Sequence, residues 1–235
     1  MSRGAHAESR AKRAFDVAVA SLALLVTGPL IAAGALLVVL TSPGPALYRA
    51  RRAGRGGRPF EVLKLRTMVV GGDAPDRRVT EARDPRVTPV GRVLRRTKID
   101  ELPQFWNVLR GEMSVVGPRP EDVEIVARHY GPEQRRALAV RPGIASPADL
   151  LWYPDLTYHD PPPPGVPMQE HYVRRHMPAL VAEAVRYVDE QSLWLDLKVL
   201  ARTAFCVLFY SCFPPARRPL PDPPRAAHPS CGATR

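Results

Sequence analysis

The chain has 235 residues, enough for one full hydrophobic core or for a smaller core with a membrane element, and too few for several large domains. Its 34 Lys and Arg against 23 Asp and Glu leave a formal net charge of +11, which calls for an anionic partner: nucleic acid, an acidic membrane surface or a phosphate-rich substrate. Cys206, Cys212 and Cys231 are an odd number without metal-ligand spacing, so no disulfide framework and a reducing compartment are expected.

A basic opening (Arg3, Arg10, Lys12, Arg13) precedes VAVASLALLVTGPLIAAGALLVVL, the 24 uncharged positions from Val17 to Leu40. As a straight helix this stretch would be about 36 Å long at ~1.5 Å per residue, enough to meet a membrane. A second basic cluster follows it at Arg49, Arg51, Arg52, Arg55 and Arg58. Positive charge stays on the cytoplasmic side, so a simple span would export one cluster, whereas a helix that enters and turns back keeps both inside. Gly28-Pro29 stands near the midpoint, where proline removes a backbone donor and predicts a sharp bend. A straight signal anchor and a cleaved signal peptide are the competing readings, the latter weakened by the length of the apolar region.

The runs ALYRARR and RPFEVLKLRTM flank Ala53-Gly54-Arg55-Gly56-Gly57 and predict a small β-hairpin. Lys64 and Arg66 alternate on its second strand and share a face, which either lines an anionic site or is a solvated basic surface. Thr80 to Gly91 is polar and proline-punctuated and reads as a loop. Helical spacing then predicts two short helices joined near Thr97. Tyr153 to Pro167 contains PPPP and predicts a polyproline-like loop, after which Met168 to Ala201 regains helical character. Ser192 to Phe213 is rich in large apolar and aromatic residues and predicts a helix lying in a membrane interface or buried in a core. From Pro214 onward, seven prolines and four arginines leave too little apolar surface to fold, and disorder is expected.

Chemistry concentrates at Asp100-Glu101, the only acids between Arg86 and Arg110 among six basic residues: Arg86, Arg92, Arg95, Arg96, Lys98 and Arg110. Such a field attracts a polyphosphate, while one carboxylate attacks phosphorus and the other holds a divalent cation. The competing reading is a capping box over Thr97-Lys98-Ile99-Asp100 that starts a helix. Gly117-Pro118-Arg119-Pro120 presents an arginine stiffened by proline on both sides, either a phosphate clamp or a rigid turn. Neither a zinc pattern nor a G-x-x-x-x-G-K-[ST] loop nor a G-x-S-x-G elbow occurs, which excludes P-loop and common hydrolase chemistry.

The segments KRAFD, SPGPALYRARRAG, FEVLKLRTM, DPRVTPVGRVLRRTKIDELPQFWNVLRGEMSVVGPRP, VRPGI and SLWLDLKVLARTAF occur in an order that resembles the bacterial sugar transferase family, the monotopic phosphoglycosyl transferases, from about Lys12 to Phe205. The resemblance implies a mainly α fold with a small β-hairpin (α+β), monotopic in the membrane, with a re-entrant, proline-broken N-terminal helix and amphipathic interfacial helices. Its expected divisions are a basic segment 1–13, a re-entrant helix 14–41, a catalytic domain 42–213 and a tail 214–235. The resemblance further implies transfer of a sugar 1-phosphate from a UDP-sugar to polyprenyl (undecaprenyl) phosphate, with release of UMP, at the cytoplasmic face of the inner membrane, as the first membrane step of exopolysaccharide, capsule or glycoconjugate assembly. Asp100 would be the nucleophile, Glu101 a Mg2+ ligand, and Lys64, Arg95 and Arg119 the phosphate contacts.

Inner-membrane lipid is an expected partner and nucleic acid is not, since nucleic-acid binders seldom carry so long an uncharged segment; a homo-oligomer stays open. A catalytically inactive membrane scaffold is the alternative. Two departures from the family pattern stand out: Gly28-Pro29 where many relatives have Ser-Pro, and Ala145 to Leu150 where many continue Thr-Gly-x-x-Gln-Val. The chain resembles the minimal catalytic form, without the preceding spans of longer relatives.

Overall fold

A computed structural model describes residues 9–71, 84–151, 162–163 and 165–212. The tail from Pro214, most of the proline-rich loop and the start of the Thr80–Gly91 loop lie outside the described residues.

Helix α1 spans Arg10–Thr41 and starts where the Ser9 side chain accepts a hydrogen bond from the Lys12 amide at 3.1 Å. Helical structure continues through Gly28-Pro29, so the proline is accommodated inside one element. The middle of α1 is bare, with Leu25 79% exposed and Leu22 and Val26 also outward. α1 is long and apolar enough to cross a membrane, and a monotopic arrangement is compatible with it.

Both ends of α1 pack on the rest of the chain. Near the N-terminus, Lys12, Asp16 and Ala20 are buried against α3 (Gln104–Arg110) and β3 (Ser114–Val116). Near the C-terminus, Val38, Ile31 and Ala35 pack on Leu65, Leu94 and Ile99.

The predicted hairpin forms as β1 (Leu47–Ala53) and β2 (Pro59–Leu65), antiparallel, with Ala53 opposite Pro59 and a short 3-10 turn at Arg55–Gly57. Asn107 of α3, fully buried, accepts from the Leu63 amide at 2.9 Å and donates to the Glu61 carbonyl at 2.7 Å, which fastens α3 to β2. At the other strand, the Ala53 amide donates to the Glu121 carbonyl at 2.8 Å and Arg52 bridges to Asp122. The two expected helices are α2 (Pro89–Thr97) and α3.

Further along come α4 (Val123–His129), α5 (Pro132–Arg135) and β4 (Gly143–Ala145), which pairs parallel with β3. This second sheet has only three residues per strand, too short to leave an alternation in the sequence. The C-terminal run consists of α6 (Met168–His171), a π turn at Tyr172–His176, α7 (Met177–Glu190) and α8 (Leu193–Cys212). α8 buries Asp196 and Val199 and turns Trp194, Leu197, Phe205, Leu208 and Phe209 outward. Its apolar face therefore lies outside the core, as the interfacial reading requires.

Arg66 departs from both readings given above. It lies past the end of β2, is buried, and donates to Pro45 O (2.6 Å), Ser42 Oγ (2.6 Å), Ser42 O (2.8 Å) and Gly44 O (3.2 Å). The turn after α1 exposes carbonyls that a guanidinium fork satisfies together, so Arg66 fixes the α1–β1 connection and does not share a surface with Lys64.

Lys12 is buried at the N-terminal end of α1. Its Nζ donates to Asp16 Oδ1 at 2.9 Å and pairs with Asp196 Oδ2 at 3.1 Å. Asp16 Oδ1 also accepts from Ser114 Oγ (3.0 Å) and the Val115 amide (3.1 Å), and Asp196 Oδ1 accepts from Tyr187 Oη (2.7 Å). Substituting Lys12→Met leaves two buried carboxylates without their cation and is expected to cost roughly 3–5 kcal/mol. Thermal unfolding of the purified protein in detergent checks this, and an unchanged midpoint would remove the network from the stability of the fold.

Candidate active site

α2 ends where Lys98 adopts the left-handed conformation (φ 58°), its amide donating to the Arg95 and Leu94 carbonyls. The chain then makes one 3-10 turn, Ile99–Glu101. At about three residues per turn, successive side chains diverge by about 120°, so Asp100 and Glu101 face different surroundings. Thr97 Oγ1 bonds back to the Val93 carbonyl at 2.9 Å, and the capping box considered above does not form.

Asp100 points into the protein, 6% exposed, and its Oδ1 is buried without a hydrogen-bond partner among the described residues. Burial, aided by the neighbouring Glu101 charge, pushes its carboxyl up to about 6, against the pull of Lys64, Lys98 and Arg95. Glu101 behaves oppositely. Burial alone would raise it, but the charges of Lys64, Lys98 and Arg119, with a hydrogen bond from Lys64, hold it well below the usual carboxylate range. That bond runs from Lys64 Nζ on β2 to Glu101 Oε1 at 2.9 Å, and both side chains keep about a quarter of their surface exposed.

Arg95 is placed by a close approach. A Cβ at Gly91 would stand 2.1 Å from the Thr67 carbonyl oxygen, so only glycine lets α2 rest on that backbone, where the Thr88 amide donates to Thr67 O at 3.0 Å. Arg95, one turn further, then reaches Thr67 Oγ1 with its Nε at 2.8 Å.

Arg119 is placed in the same manner. Gly117 and Gly143 approach so closely that a Cβ on Gly143 would lie 2.0 Å from the Gly117 amide nitrogen. The crossing is sealed by Gly117 N to Ala145 O (3.1 Å) and Gly143 N to Pro118 O (2.8 Å). Arg119 leaves this crossing and donates to Asp149 Oδ1 at 2.8 Å, while its charge acts on Glu101.

The structure thus gathers Asp100, Glu101 and Lys64, with Arg95 and Arg119 at the border, and leaves Gly28-Pro29 apart in the middle of α1. Three participants were not singled out from the sequence: Thr67, Asp149, and Glu121, which accepts a short hydrogen bond from Tyr172. Asp149 falls in the stretch that departs from the family pattern, and Thr67 adjoins the quoted Lys64 strand; neither carried a separate signal. A dyad of acids with an unpaired oxygen beside four cations can receive a phosphate-bearing electrophile, attack it through one carboxylate and neutralise its charge through the bases.

The model of the family described as bacterial sugar transferase matches residues 7–210. A UDP-glucose:undecaprenyl-phosphate glucose-1-phosphate transferase of Caulobacter vibrioides is 42% identical over 196 residues, covering 82% of this chain and 67% of that protein. The exopolysaccharide production protein ExoY of Rhizobium meliloti is 38% identical over 208 residues, covering 82% and 83%. A UDP-N-acetylgalactosamine-undecaprenyl-phosphate N-acetylgalactosaminephosphotransferase of Aeromonas hydrophila is 34% identical over 199 residues, covering 84% of this chain but 43% of that protein. The chain therefore belongs to the bacterial sugar transferase family and is a transferase.

Proposed function

We propose that the chain transfers a sugar 1-phosphate from a UDP-sugar to undecaprenyl or a similar polyprenyl phosphate, at the cytoplasmic face of the membrane, and releases UMP. The observation that carries this reading is the buried, unpartnered Asp100 oxygen facing a field of fixed cations. Relatives named for glucose and for N-acetylgalactosamine support a UDP-hexose donor.

In this reading the Asp100 carboxylate attacks the β-phosphorus. The bond from that phosphorus to the oxygen bridging the α-phosphate breaks, and UMP leaves with the electron pair. A phosphate oxygen of the polyprenyl phosphate then attacks the same phosphorus and expels Asp100, which regains its carboxylate. Lys64, Arg95 and Arg119 hold the diphosphate, and their charges are fixed before substrate arrives, by Glu101, Thr67 and Asp149 respectively.

In this reading Glu101 is the residue that would hold Mg2+. Its Oε1 accepts from Lys64, and no group of three metal-binding side chains occurs among the described residues. That donor set fits Mg2+, which takes one or two carboxylates and completes its shell with substrate phosphate and water. When bound, the ion supplies charge neutralisation on the diphosphate. The inactive-scaffold alternative has no support from this site, which keeps both acids and all three proposed phosphate contacts.

α1 is read as re-entrant because its two ends pack on one folded body, the first on α3 and β3, the second on β2 and α2. A spanning helix would separate those contacts by the roughly 30 Å hydrocarbon layer.

Three experiments test these assignments. Asp100→Asn is expected to lower UMP release below about a thousandth of wild type. It is also expected to raise stability at neutral pH by on the order of 2 kcal/mol, because the folded carboxyl near 6 lies above its ordinary 3.8. Between those values the folded state binds more protons than the unfolded chain, so this group's contribution is lost as pH rises and the neutral amide escapes the loss. A variant that turns over normally would remove Asp100 from the mechanism. In wild type, kcat/KM should fall on the acid side with an apparent value near 6, and a limb near 4 would contradict the burial of the nucleophile. Finally, single cysteines at Ser9 and Thr41 in a cysteine-free background should both resist an impermeant maleimide added from the periplasmic side; reaction at either end would establish a span.

A further inference from the structure

Away from the acid pair, near the N-terminal end of α1, lies a groove of about 640 Å³ lined by Arg10, Arg13, Ala14, Val17 and Ala18 of α1 and by Arg141. The α1 positions recur at intervals of three and four, so they form one face. The charged members come first and the apolar members follow in the direction of the uncharged stretch.

Two of the arginines are held in place. Arg13 donates through its two terminal nitrogens to the Val108 carbonyl (2.7 Å) and the Leu109 carbonyl (2.9 Å), and Arg141 Nε donates to the Gly111 carbonyl at 2.8 Å. These carbonyls lie at the C-terminal end of α3, the negative end of its dipole. Arg13 spends two of its five N–H groups there and keeps the others for a ligand. Arg10 is exposed, as are Ala14, Val17 and Ala18. Among the described residues the lining holds three guanidinium groups and no acid.

We propose that this groove binds one anionic glycerophospholipid, its phosphate between Arg10, Arg13 and Arg141 and one acyl chain along Ala14, Val17 and Ala18. The proposal rests on the reading of α1 as a membrane element. Cationic groups at the water end and small apolar residues at the lipid end match the two halves of such a molecule, and arginine matches phosphate with paired donors. The lipid is separate from the acceptor of the reaction: Ala14 stands twenty residues along α1 from Gly34, whose surroundings include Ile99 of the acid-bearing turn. Bound there, it straps the first turns of α1 to α3 and to the loop leading into β4.

The test titrates the full-length protein in neutral detergent with short-chain phosphatidylglycerol and with phosphatidylcholine, following thermal unfolding and counting bound lipid by native mass spectrometry. Saturation by one phosphatidylglycerol per chain is expected, with phosphatidylcholine at least about tenfold weaker. Arg10→Gln removes a cation without touching the α3 carbonyls, and Ala18→Trp fills the acyl lane; each should weaken phosphatidylglycerol by about tenfold. Equal response to the two lipids, or variants that titrate as wild type, would overturn the site. Displacement of phosphatidylglycerol by equimolar polyprenyl phosphate would overturn it too, by making the groove an acceptor site. Insertion into neutral phosphatidylcholine vesicles separates the two failures: protein that enters them without any phosphatidylglycerol preference defeats only the lipid site, and protein that stays out defeats the membrane reading of α1 as well.

Discussion

The arrangement depends on one ammonium group. Lys12 lies in the first turn of α1 and meets Asp16 of the same helix and Asp196 of α8, at the other end of the chain. Ser114 and Val115 of β3 and Tyr187 of α7 complete the cluster, so four elements converge on it. Burying these charges is costly, and an apolar cluster of equal volume would hold the elements at least as firmly. Lipid explains why charge is used. The apolar surface of a membrane helix is satisfied by acyl chains as well as by protein, so hydrophobic contact cannot specify where such a helix docks. A buried ammonium is satisfied at one place only, and burial has already pushed Asp196 above its ordinary value, so the acid itself depends on Lys12 and Tyr187 staying where they are.

The far end of α1 is tied to the chemistry. Ile31, Ala35 and Val38 share a small core with Leu65, Leu94 and Ile99. Leu65 follows Lys64, Leu94 precedes Arg95, and Ile99 precedes Asp100. Each proposed active-site residue in that group thus has a neighbour in sequence packed on the membrane helix. In the proposed reaction an acceptor phosphate held at the membrane surface meets a nucleophile whose backing is α1 itself, and no separate device is needed to bring lipid and acid pair together.

The features legible in the sequence were those carried by local repetition. Alternation on either side of a glycine-rich break gave the hairpin, helical spacing gave α2 and α3, and two acids in a basic run gave the centre of the site. The features that escaped depend on partners far along the chain. Lys12 and Asp16 stand four apart and look like an ordinary surface pair, and nothing local marks Asp196 as their third member. Arg66 sits among exposed-looking arginines, yet it closes the turn after α1 by donating to the carbonyls of that turn. Asn107 serves a strand edge forty-odd residues earlier, and Asp149 reaches Arg119 from a stretch where the family pattern lapses. The parallel β3–β4 pair rests on the Gly117–Gly143 approach, which spacing does not reveal.

The two acids illustrate how neighbouring identical chemistries separate. A single 3-10 turn sends Asp100 inward, with its Oδ1 unpartnered among the described residues, and Glu101 toward Lys64, which donates to it. Burial then raises the first carboxyl, and the cations lower the second. The negative charge of Glu101 reinforces the difference, since it disfavours ionisation of Asp100. A carboxylate ionised only at the cost of desolvation is poorly stabilised and therefore reactive toward phosphorus; one held ionised at every physiological pH is a constant ligand for a cation. The residue order Asp-Glu alone does not decide which acid attacks. In the proposed reaction the left-handed Lys98 selects between them, because it ends α2 at Thr97 and sets the turn Ile99–Glu101 that buries one acid and brings the other to Lys64.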